Sequence, residues 1–198
     1  MHDNPNSYFD NIVNSQGGIT HGYYQDARIV ACSWNELSNR FLLTNSFAKM
    51  LSKNIHERIA IHFRVGDIRT NLLSRYHHGK TKLSYYLRAA FQMREISGVD
   101  EILLISEYST EELWQLKYDL TRNKFKVEIS LDNDVFHDLE QIAVSKYVVC
   151  SNSSFSWWGA WLSQKNGGSK SAIPSPWLSK YSAYDSNLIM KTSIAIDR

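Results

Sequence analysis

Apolar positions along the chain fall into blocks, and their period changes from block to block. Residues 35–54 set Leu37, Phe41, Leu42, Phe47, Ala48 and Leu51 in a rough helical stripe. Arg58 to Phe63 is short and β-rich, and it runs out at Gly66-Asp67. Lys82 to Glu95 returns to a helical pattern, and Glu101 to Ser106 has the continuous apolar character of a buried strand. Ser109 with Glu112 forms S-x-x-E, a capping box that predicts a helix through about Leu120. Lys124 to Ser130 alternates as a strand, and residues 134–146 place Val135, Leu139, Ile142 and Ala143 on one helical face. Tyr147 to Cys150 predicts another strand, Ser154 to Gln164 a helix, and Lys170 to Ile173 a last short strand before Pro174. Residues 1–34 are rich in Asn, Ser, Gly and Gln and show little period. They are expected to be a lead-in segment, with residues 35–198 forming the domain.

Strands that alternate with helices, each strand short and apolar, predict an α/β fold: a parallel sheet with helices on both faces. Ligands of such sheets bind outside the carboxyl ends of the strands. The 198 residues are 43% apolar, enough for one ordinary domain with a real core. No internal repeat, low-complexity tract or linker interrupts them. With 22 basic and 20 acidic residues the net charge is +2, which gives no support to a nucleic-acid partner. The two cysteines, Cys32 and Cys150, form no CxxC pair, so neither a metal cluster nor an oxidising compartment is indicated. The polar N-terminus lacks an apolar signal core, and no stretch approaches the ~20 apolar residues of a membrane span. The 25 aromatic residues (8 Phe, 6 Trp, 11 Tyr) suit a core, or a site that stacks rings on bases or sugars.

Candidate chemistry gathers where predicted strands end. His62-Phe63-Arg64-Val65-Gly66-Asp67 puts a guanidinium beside an imidazole, and Arg64 could grip a diphosphate through its planar fork. Gly66 would allow a turn or a close backbone approach, and Asp67 could orient Arg64. The same residues also suit a plain salt bridge at a strand end. Ser151-Asn152-Ser153-Ser154-Phe155-Ser156 joins a strand to a helix and offers hydroxyls, an amide and free N–H groups. That composition makes an anion site, although capping by Ser153 or Ser154 would account for it locally. Trp157, Trp158 and Trp161 then follow at a period better suited to packing on the sheet than to stacking on a ligand. Asp138, near a helix start, could accept both donors of a guanine edge or simply complement the helix dipole. GxGxxG, Walker and HExxH patterns are absent. Asp132-Asn133-Asp134 approaches a DxD pair no more closely than many turns do, so no metal site is expected.

Two of these loops resemble motifs of the α-1,2-fucosyltransferases, glycosyltransferase family 11. Residues 62–67 are similar to that family's HxRRGD-type motif, and residues 151–162 to its SNSTFSWWGAWL signature. Gly22-Tyr23-Tyr24-Gln25 resembles its GYFQ segment, and Tyr85-Tyr86 its YY segment before a helix. The likeness runs from about His21 to Leu178. It implies the Rossmann-like C-terminal domain of a GT-B glycosyltransferase. The implied reaction is inverting, metal-independent transfer of L-fucose from GDP-fucose to the 2-hydroxyl of a galactose-containing glycan. GDP-fucose would be a donor substrate, with no cofactor. The resemblance assigns Arg64, His62 and Asp67 to catalysis. To donor binding it assigns His62, Arg64, Gly66, Asp138, Asn152, Ser153, Ser154 and Phe155. Val65 replaces the motif's second arginine, and Glu107 is what is left of an acidic pair after the middle strand. The family's N-terminal GGLGNQMFQ segment is not in this sequence, so the expected chain is a donor-binding half without the acceptor domain. A non-catalytic nucleotide-sugar or glycan-binding module descended from such an enzyme is the other reading. The chain would be cytoplasmic with at most peripheral membrane contact if bacterial, or at the Golgi membrane if a shortened eukaryotic form.

Overall fold

The computed structural model describes residues 26–41, 54–64, 81–131, 134–177 and 185–198. In chain order its elements are α1 (Ala27–Phe41), β1 (His56–His62), α2 (Leu83–Ser97), β2 (Glu101–Ser106), α3 (Glu111–Arg122) and β3 (Lys126–Leu131). Then follow α4 (Val135–Ala143), β4 (Ser145–Val149), α5 (Ser154–Lys165), β5 (Lys170–Ser175), α6 (Asp185–Leu188) and β6 (Ser193–Asp197). The strands form one six-stranded sheet in the order β3-β2-β1-β4-β5-β6, with every neighbouring pair parallel. This is the α/β, Rossmann-like architecture expected from the sequence. The order runs outward from β1 to one edge, returns at β4, and runs outward to the other edge. Between β1 and β4 successive connections therefore leave in opposite directions. That gap is where open parallel sheets bind ligands.

The strands read as unbroken apolar runs because both faces are covered. Ile59, Ile61, Ile102, Leu104 and Val149 pack against Tyr85, Tyr86, Ala89 and Met93 of α2 and Leu113, Leu116 and Leu120 of α3. On the other face Ala60, Leu103, Ile105, Val148 and Cys150 meet Val30 of α1, Ile142 of α4, and Trp157, Ala160 and Trp161 of α5. The tryptophans belong to the core, as their period suggested. Trp157 and Trp161 stack with centroids 5.9 Å apart and planes at 16°, and the Trp157 indole donates to Leu188 O at 2.8 Å.

Several boundaries differ from the sequence expectation. Helix α1 begins at Ala27, not near Asn35, so residues 27–34 are not lead-in loop. Their low-propensity Cys, Ser and Trp hid a stripe in which Ile29 and Val30 are buried and Trp34 meets Trp161 edge-on at 6.2 Å. Leu42, Phe47, Ala48 and Leu51 of the predicted helix lie outside the described residues. The N-cap of α3 is Thr110, whose hydroxyl accepts from Leu113 N at 3.2 Å. Ser109 instead accepts the Trp114 indole N–H at 2.9 Å. Strand β5 continues through Pro174, because the ladder to β4 has ended by Ala172 and the missing N–H leaves no acceptor wanting. Strand β6, with Ile194 and Ile196 alternating, was not anticipated.

Candidate functional site

The register of β1 on β4 pairs Ile61 with Val149, which brings residues 62–64 level with residues 150–152 at the carboxyl edge. His62 ends β1, and its Nδ1 lies 2.9 Å from Ser151 Oγ. Arg64, two residues on, donates from a terminal guanidinium nitrogen to Asn152 O at 3.0 Å. The Phe155 ring closes on His62 with centroids 5.2 Å apart. His62, Arg64, Asn152, Ser153 and Phe155 thus lie together at the reversal point of the sheet. Val65, Gly66 and Asp67 lie outside the described residues, as does the Gly22 to Gln25 segment.

The serines of the β4–α5 loop divide by role. The Ser156 hydroxyl is directed to Ser151 O and Ser153 O, each at 3.0 Å, and folds the loop on itself. Ser151 is wholly buried and supports His62. Ser153 is the N-cap of α5 by backbone conformation, yet its side chain makes no capping bond. The local explanation of this loop as side-chain capping by Ser153 is therefore not realised. The start of α5 keeps the N–H groups and the partial positive charge that favour an anion. Ser154, half-buried, stands in that same first turn. Asn152 heads an Asn-Ser-Ser sequon but is only 1% exposed, which argues against its carrying a glycan.

Electrostatics separate the two basic residues. Burial, and then the charge of Arg64, lower the His62 pKa to about 3, so the imidazole is neutral near pH 7. Within this pair the positive charge rests on Arg64. The Cys150 thiol is pushed up to about 12 by burial, leaving a small inert hydrophobe beneath the loop.

Asp138 lies one turn into α4 and is buried, 8% exposed. The helix is capped by Asp134, which accepts from Phe136 N at 2.9 Å and His137 N at 3.0 Å. Asp138 is not the cap but stands in the first turn, where a carboxylate also complements the helix dipole. Helix α4 meets α5 where Ile142 faces Gly159. One turn back on each helix, Asp138 and Phe155 both move towards the carboxyl edge.

Residues absent from the sequence-based site also enter it. Thr81 donates to Asn152 Oδ1 at 3.0 Å, and the Tyr85 hydroxyl donates to Cys150 O at 2.6 Å. The Tyr85-Tyr86 pair was visible as a motif, but its part in the loop was not. Among the described residues no group of three or more His, Cys, Asp or Glu side chains could hold a metal ion. No described helix is long and apolar enough to cross a membrane.

A six-stranded, all-parallel sheet flanked by helices is an α/β, Rossmann-like fold, consistent with GT-B-like glycosyltransferases. The chain matches Glycosyl transferase family 11 over residues 8–189 and belongs to that family. It is 28% identical over 165 residues to an Escherichia coli alpha-1,2-colitosyltransferase, a match covering 80% of this chain and 56% of that protein. It is 23% identical over 150 residues to the Escherichia coli O-antigen biosynthesis glycosyltransferase WbnK, covering 71% of this chain and 49% of that one. The chain spans about half the length of these curated relatives.

Proposed function

We propose that this chain is the donor-binding half of a galactoside 2-α-L-fucosyltransferase, and that it holds GDP-fucose across the carboxyl ends of β1 and β4. The observation that carries the reading is the position of Arg64, fixed on Asn152 O beside the open start of α5. Its guanidinium and the α5 N–H groups would bind the diphosphate and neutralise the charge that grows on departing GDP. Ser153 and Ser154 would add hydroxyl donors at the β-phosphate. Neutral His62, braced by Ser151, would shape the pocket and exchange a hydrogen bond with the donor without adding charge. Asp138 would read guanine by accepting from its N1–H and N2–H₂ edge. The sugar would pass with inversion to a 2-hydroxyl on a galactose-containing glycan, without a metal. Any membrane contact would be peripheral.

The name of one relative supports the α-1,2 linkage and specifies a colitosyl group. Calorimetry with GDP-fucose, GDP, UDP and ADP tests the donor site. A transfer assay on lactose-type acceptors tests turnover. Tight GDP-fucose binding with transfer supports the full reading. Binding without transfer favours a nucleotide-sugar-binding module, and equal affinity for GDP and ADP contradicts the guanine assignment.

A further inference from the structure

Arg64 is gripped from two sides by a ring of buried polar groups. The Tyr86 hydroxyl bonds both to the backbone of Arg64 and to the Thr81 side chain. Thr81 in turn donates to Asn152 Oδ1 at 3.0 Å. The Arg64 guanidinium donates to Asn152 O at 3.0 Å and closes the ring. Tyr86 is 1% exposed, Thr81 6% and Asn152 1%, so water does not compete for these bonds. The bond donated by Thr81 also fixes the Asn152 carboxamide. It must turn Oδ1 to Thr81, which sends its NH₂ the other way. The Tyr86 ring is held in turn by Phe63 at 5.1 Å and Tyr85 at 5.1 Å.

We infer that Thr81 and Tyr86 are positioning residues that lock the Arg64 backbone and the Asn152 carboxamide, and so hold the Arg64 guanidinium in place to receive a diphosphate. This rests on the GDP-sugar reading for its ligand, but not for its geometry. Preorganisation of this kind matters because a cation free to swing must lose that freedom on binding, at a cost in affinity.

Three variants test it: Tyr86→Phe and Thr81→Val each remove one hydroxyl and little volume, whereas Thr81→Ser keeps the hydroxyl. The first readout needs no ligand: hydrogen exchange of the Arg64 guanidinium protons by NMR. The second is calorimetry with GDP and with guanosine. Tyr86→Phe and Thr81→Val should speed Arg64 exchange and weaken GDP roughly five- to thirtyfold, while guanosine affinity stays unchanged. Thr81→Ser should stay near wild type in both. Because the hydroxyls are removed at two separate points, either folded variant decides the matter. Variants that lose melting temperature but keep wild-type Arg64 exchange and the wild-type ratio of GDP to guanosine affinity would overturn the inference. If the wild-type chain fails to bind GDP, the donor reading falls, and Arg64 exchange alone still decides the positioning role.

Discussion

Gly159→Ala tests the close packing of α4 on α5. A methyl at Gly159 would lie 2.6 Å from Ile142 Cγ2 and 3.0 Å from its Cβ. Carbon pairs settle at about 3.5–4.0 Å, so the helices must part by roughly 1 Å or Ile142 must leave its rotamer. A β-branched side chain on a helix has little rotamer freedom, and Ile142 is fully buried. Overpacking of this kind costs about 1–3 kcal/mol. Alanine returns about 1 kcal/mol through helix propensity. A net loss of up to about 2 kcal/mol is expected. Urea unfolding should show it as a lower midpoint with an unchanged slope. Ile142→Ala alone should cost about 2–5 kcal/mol. The double variant should be more stable than the sum predicts by at least about 1 kcal/mol, because the new methyl then fills vacated space. Strictly additive effects would refute the close approach of α4 and α5.

His62→Asn should reduce acid sensitivity. The folded pKa of about 3 lies below the unfolded value of 6.5, so the unfolded chain takes up a proton that the folded one refuses. Stability is complete above pH 6.5 and declines as pH falls towards 3. Between pH 7.5 and 5.0 wild type should lose about 1–2 kcal/mol more than the variant, measured by urea titration at both pH values. Identical losses would show that His62 is not held neutral. Asp138→Asn should weaken GDP by about 1–3 kcal/mol while leaving ADP unchanged, and a calorimetric series on both nucleotides checks this. Transfer or donor hydrolysis should survive EDTA, because in the proposed site Arg64 and the α5 N–H groups would stabilise the diphosphate. Loss of activity restored by Mn²⁺ or Mg²⁺ would contradict that.

Much of the fold was legible because strand burial is written in local composition. Glu101 to Ser106 has the same bounds in sequence and structure, since a run of Ile and Leu between polar ends leaves little ambiguity. Helix α1 was misplaced because its stripe depends on Trp34 finding Trp161, a partner no local window contains. Thr110 took the cap from Ser109 because Ser109 found an indole N–H instead. At the site, Arg64 and the serine loop stood out as unusual residues at strand ends. The division of labour among the serines did not, since it depends on which hydroxyls are already spent. The role of Thr81 was hidden because its partner lies 71 residues away.

The measurement closest to the central claim pairs GDP binding with turnover in Arg64→Ala. Wild type should bind GDP more tightly than ADP, and the folded variant should keep its melting temperature. Transfer, or slow hydrolysis of GDP-fucose if no acceptor is used, should fall by about 10²-fold or more, corresponding to roughly 2.7–4 kcal/mol. GDP affinity should fall less, because charge on the β-phosphate is still developing as the sugar leaves. Arg64→Lys should recover little, since an ammonium lacks the planar fork. A folded Arg64→Ala protein with wild-type GDP affinity and turnover would place the diphosphate elsewhere and contradict the site at the ends of β1 and β4.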